Sequence, residues 1–578
     1  LFFCVSVYTS ILLAQPSSVT VLGHLNQPHG TTGGVSFAGC WGYVAPDGRE
    51  YAILGTATGC AVIDITNAAT PVEIGHITGA TSLWKEVKAY GHYAYVVSEG
   101  SQGLQIIDLS NLPTSIRLDT TITSLGGFSI MTSHTISIHD GYLYLNGTGS
   151  GMLIASLANP RRPQYLGRWT TRYVHDSYTR NDTIFAAAIN NGRLDIINGR
   201  IKSAPTLIAS IAYTGGGTHN VWATKDRRYA VTTDEIGSTL KNLKVWNLQN
   251  LPTVSNIPDA QFSPVPTDIV HNVFIRGDYA YVAWYTAGFR VVNLTNPLAP
   301  SDAGGYDTST EPPGSYDGMW ACYPYFPSGK VIGSDMQNGL WVFSFTGLSP
   351  RQNVTLLEPA NSTTVNSLDS IRFRWTRAAN MTADPHYYRV HVYGPGYDST
   401  FRANDTTMVM TNLSGLASGQ TYRWRVYTVD EVNSIASPDS FQFTYSPGPP
   451  LPVVLAFFTA TQVTGRVRLD WRTLAEVGNF GFEVQRSLQI PTRWTTLPNS
   501  FRPGYGTTTE PHDYTFTDSS VTPGFWYYRL RQISQDSTSN ILSPISINVL
   551  TGVSEENLPT GYVVSQNYPN PFNPATTI

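Results

Sequence analysis

Short runs of alternating apolar and polar residues, broken by Gly, Asn and Asp, cover most of this chain. The clearest unit lies between Asp268 and Pro297. Three runs rich in Val, Ile, Tyr and Phe are separated there by Arg276-Gly277-Asp278 and by Thr286-Ala287-Gly288. A period of two bounded by such turn residues predicts antiparallel strands. A fourth run after Thr295-Asn296-Pro297 completes a four-stranded unit.

The same text recurs along residues 17–346. Successive copies begin near Cys40-Trp41, Trp84-Lys85-Glu86, Ser133-His134-Thr135, Val174-His175-Asp176, Thr218-His219-Asn220, Val270-His271-Asn272 and Gly318-Met319-Trp320. Their spacing of roughly 40–50 residues is the length of a propeller blade. The seventh copy lacks an outer strand before the pattern changes, and Val19–Leu25 has the character of one. The pattern therefore predicts a seven-bladed β-propeller closed by its own N-terminal strand, because an open ring would leave unpaired edges.

After Leu348-Ser349-Pro350 the period of two continues without the repeat. Residues 351–446 carry Ile371-Arg372-Phe373-Arg374-Trp375 and Thr421-Tyr422-Arg423-Trp424-Arg425-Val426. These alternating strands with a core Trp resemble a fibronectin type III sandwich. Ser446-Pro447-Gly448-Pro449-Pro450 reads as a linker. Residues 451–549, with Val467-Arg468-Leu469-Asp470-Trp471 and Trp526-Tyr527-Tyr528-Arg529-Leu530, read as a second sandwich of that kind. The expected fold class is all-β. Trp375, Trp424 and Trp471 are expected in the cores rather than on a sugar-binding surface.

Composition agrees with many turns and few helices. The 578 residues include 50 Gly, 37 Pro and 33 Tyr, and only 13% are charged. A net charge of −4 without a basic patch points away from nucleic acid. Residues 1–16 read as part of a secretory signal peptide, and no later run is long enough to span a bilayer. Beyond Cys4 in that segment, Cys40, Cys60 and Cys322 form an odd set without metal-type spacing. In an oxidising compartment Cys40 can pair with Cys60 or Cys322, or all three can be buried thiols.

The repeat Gly-Leu/Phe-x-Ile/Val-Ile/Val-Asp/Asn-Leu/Ile-Ser/Thr-Asn resembles the LVIVD repeat. Trp84-Lys85-Glu86-Val87-Lys88, Tyr173-Val174-His175-Asp176, Thr218-His219-Asn220-Val221-Trp222 with Thr233-Asp234-Glu235, and Tyr323-Pro324-Tyr325-Phe326-Pro327-Ser328-Gly329 resemble the choice-of-anchor B family of secreted bacterial proteins. That resemblance covers residues 17–346 and implies a propeller without a transferable activity. Within residues 550–578, Ser565-Gln566-Asn567-Tyr568-Pro569-Asn570-Pro571-Phe572-Asn573-Pro574 resembles the start of a C-terminal sorting domain read by the type IX secretion system. It implies that machinery as a partner and the outer surface of a Gram-negative bacterium as the location.

Candidate chemistry centres on four of the 12 His. His134, His175, His219 and His271 share one repeat position, the start of a blade's first strand. Asp234-Glu235, Ser98-Glu99, Asn190-Asn191 and Asp335 sit at the ends of second strands, which return to the same face. One channel mouth is therefore expected to gather His134, His175, His219, His271, Asp234 and Glu235 as metal ligands. Glu86, Asp176, Asp317 and Trp320 are candidate ligand-binding residues beside them. His with carboxylate suits one divalent Zn, Mn, Fe or Ni ion. A polar small ligand or glycan at the same mouth, or hydrogen bonds that merely fix the loops, are the competing readings. Without a metal, neighbouring carboxylates are expected to raise the His pKa values. No Gly-x-Ser-x-Gly, His-Glu-x-x-His or phosphate loop is present. The leading functional reading is a surface-displayed recognition protein whose partner is a glycan or surface protein. A secreted metal-dependent hydrolase or lyase is the alternative.

Overall fold

The computed structural model describes residues 18–550, apart from 238–239, 368, 379–386, 431, 433 and 447–452. The expected signal segment, most of the Pro-rich linker and the sorting segment lie outside the described residues. Among those described there is no α-helix, and a single 3-10 turn spans Ile189–Asn191. The chain is all-β. No described helix is long and apolar enough to cross a membrane.

Seven four-stranded antiparallel sheets occupy the first half of the chain, in the manner of propeller blades. Six are built from consecutive strands, beginning at Phe37–Val44, Lys85–Tyr90, Ile136–His139, Asp176–Arg180, Thr218–Ala223 and Val273–Arg276. The seventh runs Met319–Tyr323, Lys330–Asp335 and Gly339–Phe345, and takes Val19–Leu25 as its fourth strand. First strands pack on one another in sequence, and the first sheet meets both the second and the seventh, so the series closes. Inner strands are buried on both faces, which is why they read as nearly continuous Val, Ile, Ala and Tyr runs. Cys40, Cys60 and Cys322 are free thiols inside this core.

Two compact units divide the chain. The first reaches Thr364 and includes Ser370–Tyr445, and the second comprises Val365–Asp369 and the residues from Ser446 on. The later part of the first unit forms a three-stranded sheet of Leu356–Glu358, Ile371–Trp375 and Thr407–Met410, and a larger sheet centred on Gln420–Val429. Trp375 and Trp424 are buried there. In the second unit one 23-residue strand, Arg466–Leu488, pairs along its first half with Val453–Val463 and His512–Asp518. Its second half pairs with Arg502–Thr508 and Gly524–Ser534. Buried Glu476 sits at the change of partners. Tyr514, Thr473, Asn479 and the Tyr505 backbone N–H all donate to its carboxylate. These donors outweigh the cost of burial and hold its pKa below the usual carboxylate value. Trp471 is fully buried in the same core.

Candidate functional site

Each of the four repeat histidines sits at or just before the start of its sheet's first strand, beside the rings of its neighbours. His219 lies between the Thr218–Asp234 and Asn220–Thr233 pairs, at a register shift. His134 needs the close approach of Gly147, where an added Cβ would lie 2.4 Å from the His134 Cβ. Gly147 also takes a positive φ of 66°, so glycine is required there twice over.

The rings form a continuous arc. Centroids are 4.0 Å apart for His134 and His175, 4.4 Å for His175 and His219, and 4.1 Å for His219 and His271. Trp320 extends the arc at 4.4 Å from His271. Adjacent sheets supply adjacent rings, and the backbone fixes the tautomers of two of them. His175 Nδ1 donates to the His219 carbonyl at 3.3 Å, and His271 Nδ1 donates to the Trp320 carbonyl at 2.5 Å. A carbonyl only accepts, so these imidazoles carry their proton on Nδ1 and keep the Nε2 lone pair. His134 Nδ1 meets the Glu99 carboxylate at 2.7 Å in the same sense. His219 Nδ1 falls short of hydrogen-bonding geometry with the neighbouring His271 carbonyl and is buried without a partner.

Glu235 faces the free nitrogens. Its carboxylate oxygens lie 3.7 Å from His219 Nε2 and 3.9 Å from His271 Nε2. Tyr285 donates to Glu235 Oε1 at 2.7 Å and packs against His271 at 4.8 Å between centroids. Two sets of three ligand atoms lie within 4.8 Å of one another: His134, His175 and His219, and His219, Glu235 and His271. Two ligands on one ion at ~2.0–2.1 Å in tetrahedral geometry stand about 3.3 Å apart. The Glu235–imidazole separations of 3.7 and 3.9 Å exceed that spacing by about half an ångström, so the second set would have to draw together to hold an ion. Donation of the distal ring proton to a carbonyl or carboxylate is also how metal-binding histidines are normally oriented.

Burial dominates the electrostatics. His219 and His271 are pushed down to about 3 by burial, reinforced by neighbouring imidazoles. His175 is lowered well below its ordinary value for the same reasons. The expected rise from nearby carboxylates does not occur, because desolvation of a cation in a closed pit exceeds the attraction of Glu235 for His271. The hydrogen bond from His134 holds Glu99 below the usual carboxylate range.

The other candidate residues separate by strand alternation. Asp234 does not join the cluster. It points into its own sheet, where Tyr213 donates to one oxygen and Lys244 pairs with the other at 2.9 Å. Its successor Glu235 consequently points to the mouth. Asp335 behaves like Asp234, bonded by Thr308 at 2.6 Å and by the Gln337 backbone N–H at 3.0 Å. Asp317 is clamped by Gln337 Nε2 at 2.7 Å and does not line the cavity. Asp176 lies one residue past the His tier and accepts from Asn220 at 2.6 Å. Burial pushes Asp176 up to about 6, against the Lys88 ammonium and together with Glu86. Glu86 and Trp320 do line the cavity, and Glu86 is ion-paired to Lys88.

The cavity is narrow, about 10 Å³, and is lined by Lys85, Glu86, His134, Thr135, His219, His271, Asn272 and Trp320. That is room for about one water or ion. Below it, buried rings of Trp41, Tyr178, Trp222, Phe274 and Tyr323 contact one another across the channel at centroid separations of 4.2–5.9 Å. Sequence reasoning missed Lys85, Tyr285 and the pairing of Glu99 with His134. Lys85 was recoverable, since it holds in the second sheet the repeat position that His holds in four others.

Comparison with known proteins bears on the repeats. The LVIVD repeat model matches residues 84–122 and 269–308, which contain the second and sixth sheets. The chain therefore carries LVIVD repeats. No curated protein matches it. Among solved structures, it is similar to the computationally designed Ika8 protein at 10% identity, over 56% of this chain and 99% of that one, with a TM-score of 0.39. That likeness is too low to bear on fold or function.

Proposed function

We propose that residues 17–346 are a seven-bladed β-propeller of the choice-of-anchor B kind that holds one divalent metal ion at its mouth. In this reading it is the recognition module of a secreted, surface-anchored protein exported by the type IX route. Residues 351–446 and 451–549 are then fibronectin type III-like spacers. The carrying observation is the convergence of His219, His271 and Glu235, with the His271 ring proton tied to the Trp320 carbonyl and the Nε2 atoms turned towards the Glu235 carboxylate. The size of the cavity favours an ion over a sugar ring as its direct occupant. Seven repeat copies and the closing strand from the N-terminus support the blade count.

Metal analysis of the purified full chain after loading with Mn, Zn, Fe or Ni is expected to find about one ion per chain. His219→Ala, which removes the ligand common to both sets, is expected to abolish tight binding. A folded wild-type chain that retains none of these ions would end the metal reading. Tyr285→Phe is expected to keep the ring packing and to weaken metal affinity roughly 10-fold, because it frees the Glu235 carboxylate from its orienting hydrogen bond. Metal titration checks this, and an unchanged affinity would show that Tyr285 does not position Glu235.

A second reading, a hydrolase or lyase, is favoured by one observation: His219, Glu235 and His271 offer three ligand atoms, which in a tetrahedral site leaves a fourth position for a water that a metal can activate. Turnover of an ester or glycan substrate that is lost in Glu235→Gln would support it. Binding of the metal-loaded chain to a glycan array without turnover would support recognition.

A further inference from the structure

A groove of about 410 Å³ shares no lining residue with the cavity at the imidazoles. One wall is Asp119, Thr120 and Ile122 of the second sheet's outer strand, Arg117–Ile122. The other is Arg161, Arg162 and Pro163, in the turn that leads to the third sheet's outer strand, Gln164–Trp169. The volume is that of a site for a small organic ligand.

Two local features of the chain put charge there. The first is a bulge. Leu118 pairs with Ile107 and Thr120 with Ile106, so Asp119 is the extra residue. A bulge re-aims a side chain, and Asp119 reaches the neighbouring sheet. Its carboxylate accepts from Arg161 Nε at 2.9 Å and lies 3.5 Å from Arg117 Nη1. The second is the turn. Asn159 Oδ1 accepts the Arg161 N–H, as Asn67 does for Ala69 and Asn296 for Leu298. The same turn therefore carries Ala69-Thr70 in the first sheet, Leu298-Ala299 in the sixth and Arg161-Arg162 in the third. Two successive arginines are not needed to form it. Buried Tyr95 donates to the Pro160 carbonyl at 2.9 Å and ties this turn to the second sheet.

The charges are layered. The side chains of Asp119 and Asp108 are 2% and 14% exposed, whereas those of Arg161 and Arg117 are 59% and 64% exposed. Arg117 meets both acids. Arg162 is exposed, and no carboxylate among the described residues pairs with it. Three guanidinium groups thus stand outside two carboxylates, and the surface they present is basic.

We infer that this groove binds an acidic sugar, with Arg161 and Arg162 on its anionic group. The inference goes beyond the site at the mouth and does not depend on a metal there. Asp119 holds Arg161 at Nε, and a guanidinium has further donors on its terminal nitrogens. A fork fixed at one edge suits the oxygens of a carboxylate or phosphate. A bare anion fills only a small part of 410 Å³. The remaining wall offers the Thr120 hydroxyl to sugar hydroxyls and the Ile122 side chain to a ring face.

The test is isothermal titration calorimetry of the full chain with glucose 6-phosphate, glucuronate, inorganic phosphate and neutral glucose. Each is titrated into wild type, Arg162→Gln, Arg161→Lys and Arg200→Gln. Arg200 is exposed and lies outside the groove. Saturable binding is expected with glucose 6-phosphate or glucuronate and not with glucose, and added salt should weaken it. Arg162→Gln should weaken it at least about tenfold, while Arg200→Gln should stay within about twofold. Arg161→Lys keeps the charge but loses the fork, and should also weaken binding severalfold. Arg162→Lys, expected to lose affinity for the same reason, serves if the Gln variant does not fold. Wild type that binds neither charged sugar, or binding that survives Arg162→Gln unchanged, would overturn the inference. So would inorganic phosphate bound as tightly as glucose 6-phosphate, since the sugar would then add nothing.

Discussion

A chain that starts at Asn26 is expected to melt roughly 10 °C or more below the full chain and to aggregate. The missing strand, Val19–Leu25, pairs along its length with Gly339–Phe345, in a register that sets Val19 against Phe345 and Leu25 against Leu340. His24 stacks on Trp341 at 4.0 Å, and its Nε2 lies 2.6 Å from the Asn338 carbonyl. Removal uncovers the backbone groups of a strand that is otherwise interior to its sheet. It also exposes the aromatic row Trp341, Phe343 and Phe345, which packs beneath. A free edge of alternating apolar residues is a template for association with another chain. Thermal denaturation and size-exclusion chromatography decide the matter. A shortened chain that stays monomeric and melts within about 2 °C of the parent would mean that the strand covers the sheet without closing the ring.

Acidification of the metal-free protein is expected to lower its melting temperature progressively from pH 6.5 towards pH 3. His219 and His271 fall from an ordinary value of 6.5 to about 3 in the folded chain. In that window the unfolded chain takes up protons that the folded chain refuses, so stability falls as pH falls. Above 6.5 both states hold neutral rings and the effect vanishes. The groups facing these rings are Glu235, Tyr285, Trp320 and the imidazoles of His134 and His175, with Lys85 across the cavity. None supplies enough negative charge to reverse the burial. A double variant, His219→Gln with His271→Gln, should flatten the profile between pH 6.5 and 4. An unchanged slope in that variant would place the acid sensitivity elsewhere. With metal bound, the same window should release the ion, because protons and metal compete for Nε2.

Most of the fold was legible because it is written several times over. One blade-like unit is ambiguous, but seven copies with turn residues at matching offsets leave few alternatives. The exchange of Val19–Leu25 to the last sheet could be read from a missing run at one end and a surplus run at the other. The second unit was less legible. Nothing in Arg466–Leu488 marks the point where one strand changes partners, because Glu476 reads as an ordinary surface residue until its four donors converge on it. The site divides in the same way. Equivalent repeat positions put four imidazoles together, as rotation about the ring axis requires. Asp234 and Glu235 could not be told apart by composition, since the choice between them depends on which side of the strand end faces the axis. The direction of the His pKa shifts was also beyond the sequence, because it depends on how tightly the pit excludes water.

The layer of Trp41, Tyr178, Trp222, Phe274 and Tyr323 beneath the imidazoles has a consequence for traffic. A ring of sheets is often pictured as a pipe, but this one has a floor. Whatever enters must leave by the door it came in, and a second molecule cannot push the first out from behind. On the proposed metal reading, an ion held by the imidazoles would exchange through that mouth alone. A molecule bound over the mouth should then slow the escape of metal to a chelator in proportion to its occupancy.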